Sequence, residues 1–337
     1  MDALAASVVV PCYNAAETVE RAVRSALGQS RPPAEVICVD DGSTDGTLDV
    51  LRRLAREAPG RVEVIAQSNA GACAARNRGL ARATAPYVQF LDHDDWLHPD
   101  KLARQLALVA SFGGEGPDLV ASSFTRVRLD GEHVLHVAEP DDPWVALAWV
   151  RLGITSANLF RREAVERAGG WNEAFASSQE YELMFRMLRR GAIVAFDPES
   201  LTVLYQQAGS ITQSTPEANC VQRIELTAAI RDHARRYGSA RAVRAADAAL
   251  FFLVQMRCGF SVERGVASYR THFAPGYVPP IGRGVGRAYY HLHRALGFEL
   301  AQRIRVASRR AAGWRQTGLP ARPRGPQRLR ALQPSQS

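Results

Sequence analysis

A chain of 337 residues that is 46% hydrophobic and 23% charged can bury a sizeable core, which excludes a wholly disordered protein. No apolar run approaches the roughly 20 residues of a membrane span; the best, 248–254, is far too short. The net charge of +8 misleads as an average: the last 55 residues hold twelve arginines and one acid, Glu299, a local +11 that leaves −3 for the first 282. Residues 1–7 lack a basic leader and run into a strand pattern, so the expected location is cytoplasmic. The five cysteines, Cys12, Cys38, Cys73, Cys220 and Cys258, are odd in number and form no CxxC pair. They read as reduced thiols, neither a disulfide framework nor a zinc site.

In chain order, 7–11 is a short β-branched strand and 15–29 has helical spacing in Val19, Ala22, Val23, Ala26 and Leu27. A second strand, 35–39, stops at Asp40-Asp41-Gly42-Ser43. A helix over 44–58 follows, with Ser43 or Thr44 as its cap. Strand 61–66, a small-residue helix over 71–83 and strand 87–91 complete a repeated β-α-β order, which predicts a mostly parallel sheet with helices on both faces. Pro99 opens a helix over 99–112. The period then changes: 119–129 and 132–137 alternate around Asp130-Gly131, the dipeptide of a tight hairpin. Strand 157–161, helices 162–168 and 179–190, and strand 201–205 come next. Trp144 and Trp149 fall in an apolar helix and read as core. Beyond Pro216 the pattern is helical over 217–237, 240–259 and 262–273. After a breaker at 275–280, a basic amphipathic helix covers 286–312. The rest is rich in Arg, Pro and Gln and reads as disordered.

Parallel strands deliver residues to the crevice at their carboxyl ends. Three of the four N-terminal strands end in polar clusters: Pro11-Cys12-Tyr13-Asn14, Asp40-Asp41-Gly42-Ser43 and Asp92-His93-Asp94-Asp95. Together they predict one site. No GxGxxG follows the first strand, which argues against a dinucleotide-dependent dehydrogenase. The segment PCYNAAET offers neither the glycine nor the basic residue that a nucleotidyltransferase loop wants there.

The segments SVVVPCYNAAETVERAVRSAL, VICVDDGSTDGT, NAGACAARNRGL and YVQFLDHDDWLHPDKL, in this order, resemble the family 2 glycosyltransferases of GT-A fold over residues 7 to about 205. The resemblance implies an α/β fold with a mixed sheet flanked by helices. It would divide the chain into a GT-A domain, 1–215, with a nucleotide-sugar half (1–98) and an acceptor half (99–215). A helical extension, 216–312, and a basic tail, 313–337, lie outside it.

The resemblance implies an inverting transfer from a nucleotide-diphospho-sugar, UDP-sugar favoured, to an acceptor hydroxyl. The acceptor class is a glycan or lipid-linked glycan. Pro11, Tyr13 and Asp41 would line the nucleotide pocket, Tyr13 flat against the base and Asp41 accepting an imide N–H. Arg76, beside Asn77, would face the diphosphate. Asp92-His93-Asp94 resembles the DxD motif, with Asp94 as ligand to Mg²⁺ or Mn²⁺ and Asp92 as ribose or metal contact. Asp95 reads as a turn cap and His93 as a structural neighbour.

The acceptor hydroxyl needs a base, and Glu180 in GGWNEAFASSQEYELMFRML stands where the family commonly has Asp. Glu182 competes for that role. Trp171 reads equally as a wall of the acceptor site or as core. A further departure is the run after Tyr205, Gln206-Gln207-Ala208, which lacks the family's Arg and His. That departure and the Glu180 change keep open a non-catalytic nucleotide-sugar-binding partner protein. The basic tail reads as a solvated face or as a peripheral contact with anionic membrane. The membrane reading uses Arg287, Arg294, Arg303, Arg305, Arg309 and Arg310, with Tyr289, Tyr290, Leu292, Leu296 and Phe298 inward. No motif supports nucleic acid.

Overall fold

A computed structural model describes residues 4–138, 140–207, 215–282 and 285–311, with residues 310 and 311 as backbone only. The predicted disordered tail lies outside them, as do Ala208 and the Arg310 side chain.

The N-terminal half alternates as the periodicity predicts: β1 (Ala6–Cys12), α1 (Val19–Leu27), β2 (Glu35–Asp40), α2 (Thr47–Glu57), β3 (Val62–Ala66), α3 (Ala72–Arg82) and β4 (Tyr87–Phe90). After it come β5 (Trp96–Leu97), α4 (Lys101–Ser111), β6 (Leu119–Val127), β7 (His133–His136), α5 (Pro143–Ala148), β8 (Leu159–Arg161), α6 (Arg162–Arg167), α7 (Gln179–Arg189) and β9 (Val194–Tyr205). The sheet order is β3-β2-β1-β4-β8-β6-β9-β5, with β7 on β6. The first four strands are parallel, β8 is antiparallel to β4 and β6, and β6–β7 is the antiparallel hairpin that Asp130-Gly131 predicts.

Successive residues of β1 and β2 feed opposite faces. Val8, Val10, Val36 and Cys38 pack with α1, α2 and α4 on one side. Val9, Ile37 and Val39 pack with α3, α5, α6 and α7 on the other. All five cysteines are buried and free.

Three local expectations are corrected. The cap of α2 is neither Ser43 nor Thr44 but Gly46, and Asp45 Oδ1, just before it, takes the Thr47 N–H at 2.9 Å. Strand β9 begins seven residues before position 201, because Pro198 sits at a register irregularity between Ser122, Ser123 and Thr125 of the partner strand. The basic helix is not continuous: α11 (Arg287–Ala311) breaks at Gly297, whose φ is 73°. The break turns Leu296 outward, 43% exposed, while Phe298 is buried.

The helices α8 (Pro216–Tyr237), α9 (Ala240–Phe260) and α10 (Val262–His272) precede α11. Leu226, Ile230, Ala234, Ala242, Ala246 and Ala249 join the core under the sheet. Ile224, Leu250, Phe251 and Val254 pack instead with Tyr269, Phe273 and Phe298. The extension is therefore welded to the sheet through two of its helices. No helix among the described residues is long and apolar enough to cross a membrane.

Helix α3 approaches β1 through Gly79, where an added Cβ would lie 2.3 Å from Val9 Cγ1. Val9 is fully buried and β-branched, so it cannot turn aside cheaply. Gly79→Ala should therefore destabilise the protein by about 1–3 kcal/mol through overpacking. On an open helix face the same change gains roughly 1 kcal/mol. The urea midpoint reads the sign.

Candidate functional site

The carboxyl ends of β1, β2 and β4 meet as the sequence predicts, and the loops there are laced together. Asp41 N–H donates to Cys12 O at 2.8 Å, and Gln67 N–H to Asp40 O at 2.9 Å. Asn14, held at φ 46°, donates its N–H to Ser43 Oγ and accepts from Thr44 N–H at 2.9 Å. This turn leaves Tyr13 47% exposed at the rim. Pro11 is buried inside β1, beyond Val9, the last residue paired with β4.

Asp41 is also buried, at 2% exposure. Its carboxylate accepts from Gln67 Nε2 at 2.8 Å, Ala70 N–H at 2.9 Å and Gly71 N–H at 2.8 Å. Three donors take most of the roughly four lone-pair positions of a carboxylate. Asp41 therefore shapes the loop that leads into α3, in addition to whatever it offers a base.

Arg76 departs most from expectation. It is 6% exposed, so it is not a solvated arginine open to an incoming diphosphate. Its guanidinium donates to Asp92 Oδ1 at 2.7 Å and Gln179 Oε1 at 2.8 Å, and lies over the Trp171 ring at 4.6 Å. One buried cation thus joins the end of β4 to the start of α7. Trp171 is core: it is 2% exposed and meets Phe90 edge-on at 5.1 Å. Asn77 fixes its backbone, accepting from Trp171 N–H at 2.7 Å and donating to Trp171 O at 2.9 Å.

The DHDD turn is held from below. Ser156 Oγ accepts from Asp92 N–H at 3.0 Å and donates to Asp95 Oδ2 at 2.5 Å. Asp95 is buried, not a solvated cap. Burial, then Asp92 and Asp94, push its carboxyl well above the usual range. Beneath lies Gln89, which donates to Ser156 O at 2.9 Å and accepts from Lys101 Nζ. Lys101 is fully buried, and burial pulls its ammonium down to about 7. Arg21 stacks over Tyr205 at 4.0 Å and donates to Asp94 O. His93 Nδ1 meets Thr18 Oγ1 at 3.1 Å, a structural contact.

Asp94 is left with no bond from another described side chain, and burial followed by the Asp92 charge raises its carboxyl. A dication would relieve that repulsion. Among the described residues no three His, Cys, Asp or Glu side chains converge to hold an ion alone. The donor set fits a hard cation whose remaining positions come from phosphate oxygens and water.

The two candidate bases separate clearly. Glu182 is spent on Arg186 in a bidentate pair at 2.7 and 2.6 Å. Glu180, half-buried in the first turn of α7, has no side-chain partner among the described residues. Burial raises its carboxyl above the usual range; Arg76 opposes that rise and Asp92 adds to it.

Ser156 and Arg21 carry no site signal in the sequence: Ser156 lies in a segment with no motif, and Arg21, although inside the first quoted segment, matches no position read there as functional.

Comparison with known proteins agrees with this architecture. Bacillus subtilis TuaG, named for teichuronic acid biosynthesis, is 43% identical over 124 residues, 35% of this chain and 49% of TuaG. The Rhizobium meliloti succinoglycan biosynthesis protein ExoO is 29% identical over 220 residues, 61% of this chain and 62% of ExoO. The chain spans less than two thirds of the length of either relative. Among solved structures, Staphylococcus aureus TarS 1-349 superposes with a TM-score of 0.61 at 17% identity, covering 91% of this chain and 92% of that one. A Pyrobaculum calidifontis mannosyltransferase, solved with GDP-Man and Mn²⁺, gives 0.54 at 21% identity, covering 91% and 86%. Such identities show a shared fold, GT-A. Residues 7–178 match glycosyl transferase family 2, and the chain belongs to that family of glycosyltransferases.

Proposed function

We propose that this chain is an inverting transferase that moves a sugar from a nucleotide-diphospho-sugar, UDP-sugar favoured, to an acceptor hydroxyl in bacterial cell-surface polysaccharide assembly. TuaG and ExoO are named for polysaccharide building, and TarS 1-349 has been solved with UDP-GlcNAc. The observation that carries the reading is Glu180: a carboxylate with no side-chain partner among the described residues and a raised proton affinity, next to Gln179, which Arg76 links to Asp92.

In this reading Tyr13 offers a face to the base, and the loop shaped by Asp41 closes the pocket around it. Asp94, with Asp92, would hold Mg²⁺ or Mn²⁺, which when bound supplies Lewis-acid stabilisation of the diphosphate. Arg76 orients Asp92 through their ion pair at 2.7 Å. Glu180 accepts the acceptor's hydroxyl proton as the new O–C1 bond forms. The C1–O bond to phosphate breaks on the opposite face, its electron pair leaving on the nucleoside diphosphate. Attack opposite to departure inverts the anomeric centre.

We also infer a cytoplasmic enzyme that touches anionic membrane peripherally through α11. The exposed Leu296, Leu300 and Ile304, with exposed Arg287 and Arg294, support that contact.

Two outcomes test the donor and base assignments. In calorimetry with Mn²⁺, UDP should bind the full chain, and EDTA or Asp94→Ala should weaken it at least tenfold. Equal binding with and without metal discards the metal assignment. Glu180→Gln should keep the UDP Kd within twofold yet lower kcat by about 10²–10⁴, the range for loss of a general base. Because Glu180 must be deprotonated and its carboxyl is raised, kcat/KM should climb with pH along a limb above the ordinary carboxylate range. Unchanged turnover in Glu180→Gln removes it as the base.

A further inference from the structure

The only lysine of the chain, Lys101, opens α4 and is 1% exposed. Among the described residues it makes no ion pair. Its ammonium donates to two amide oxygens, Gln89 Oε1 and, at 2.7 Å, Gln105 Oε1. A buried cation without a carboxylate is costly where an aliphatic side chain would simply pack. Its partners show what that cost secures.

A glutamine amide has an acceptor at one end and two donors at the other, and half a turn exchanges them. An ammonium against both Oε1 atoms fixes both amides, with their N–H groups toward the loop before β8. Gln89 Nε2 donates to Ser156 O at 2.9 Å and to Phe90 O at 2.6 Å. Gln105 Nε2 donates to Ala157 O at 2.9 Å and to Ser122 Oγ at 2.6 Å. Thr202 Oγ1 adds a bond to Ser156 O at 3.3 Å. Donors from β4, α4 and β9 thus hold the backbone at 156–157, and Gln89, Gln105, Ser156 and Thr202 are all buried.

Ser156 passes this order to the DHDD turn. Its Oγ accepts from Asp92 N–H at 3.0 Å and donates to Asp95 Oδ2 at 2.5 Å. The two bonded residues bracket Asp94, which has no such bond. The path from Lys101 to the turn therefore runs through Gln89 and Ser156 alone, and every link is a hydrogen bond between buried groups.

We propose that Lys101 is a positioning residue for the metal-binding turn: it orients Gln89 and Gln105, these fix the 156–157 backbone, and Ser156 Oγ then holds Asp92 and Asp95 so that Asp94 is left to the dication. This rests on Asp94 and Asp92 as the metal carboxylates. Lys101 touches neither the donor nor these carboxylates and acts only through the two amides and Ser156. A site held to a fraction of an ångström needs such support behind the residues that do the binding.

The test is calorimetry of UDP on the full chain, once with Mn²⁺ and once with EDTA. The ratio of the two Kd values is the gain due to metal, and the unmodified chain should show at least about tenfold. Lys101→Met and Ser156→Ala should each lower that gain at least about threefold, the scale of one net hydrogen bond. UDP affinity in EDTA should stay within about twofold, because the base pocket at β1 and β2 is untouched.

Lys101→Met leaves two buried amide oxygens unpaired and could unfold the chain, so a second variant is needed. Gln89→Glu keeps an acceptor for Lys101, now as an ion pair, and removes only the N–H groups that reach Ser156 O and Phe90 O. It should fold as the unmodified chain does and still lower the gain at least about threefold. A gain within about twofold of the unmodified chain in Gln89→Glu and Ser156→Ala overturns the proposal. So does an equal loss of UDP affinity with Mn²⁺ and with EDTA, since the network would then serve the fold alone. An unmodified chain with no gain from Mn²⁺ removes the metal assignment itself and the positioning role with it, whereas a gain that no variant alters removes the positioning role only.

Discussion

A guanidinium taken out of water needs partners, and Arg76 draws them for its two terminal nitrogens and its face from three distant segments, while its Nε has none among the described residues. Asp92 closes β4, Gln179 opens α7, and Trp171 supplies the ring beneath. The cation loses partners unless all three are in place, so it fixes the spacing between the turn after β4 and the start of α7. Buried charge costs stability by itself. Here it sets geometry at the junction between the two halves of the site, where loops alone would leave it loose.

The extension beyond the family match follows the same logic. Helix α8 places one face in the core under the sheet and another in the aromatic cluster of α9, α10 and α11. It is therefore registered to the sheet by packing and to α7 by the Gln222–Ser177 bonds. A helix held this firmly can deliver a side chain to the cleft reproducibly.

Much of the fold was legible because its signals are local. Alternating apolar residues gave the strands, the polar strand ends gave the crevice, and Asp130-Gly131 gave the hairpin. What was lost depends on partners far away in the chain. Nothing in AARN says that Arg76 will be buried 16 residues from Asp92 and 103 from Gln179. Ser156 carries no motif, yet it organises the DHDD turn across 64 residues. The strand read as 201–205 begins earlier, and Pro198, which cannot donate to a ladder, is absorbed by an irregularity in the β6–β9 register. Glycine in a helical pattern is ambiguous by sequence: Gly79 is a close contact within α3, whereas Gly297 is a break. The choice between Glu180 and Glu182 also needed coordinates, since only the position of Arg186 decides which acid is occupied.

Several forces act on Glu180, and they do not point the same way. The first turn of a helix favours a carboxylate by roughly 0.3–1 kcal/mol when exposed. Arg76 and Arg223 favour the charged form as well. Burial works against all three and is the largest influence, with Asp92 adding to it. The outcome is a carboxylate that holds a proton more strongly than a free glutamate. Were the arginines removed from its surroundings, burial would drive the group toward the neutral acid. The cations around Glu180 therefore temper the rise in its proton affinity, and under the proposed role as base that balance depends on the surroundings more than on the length of the side chain.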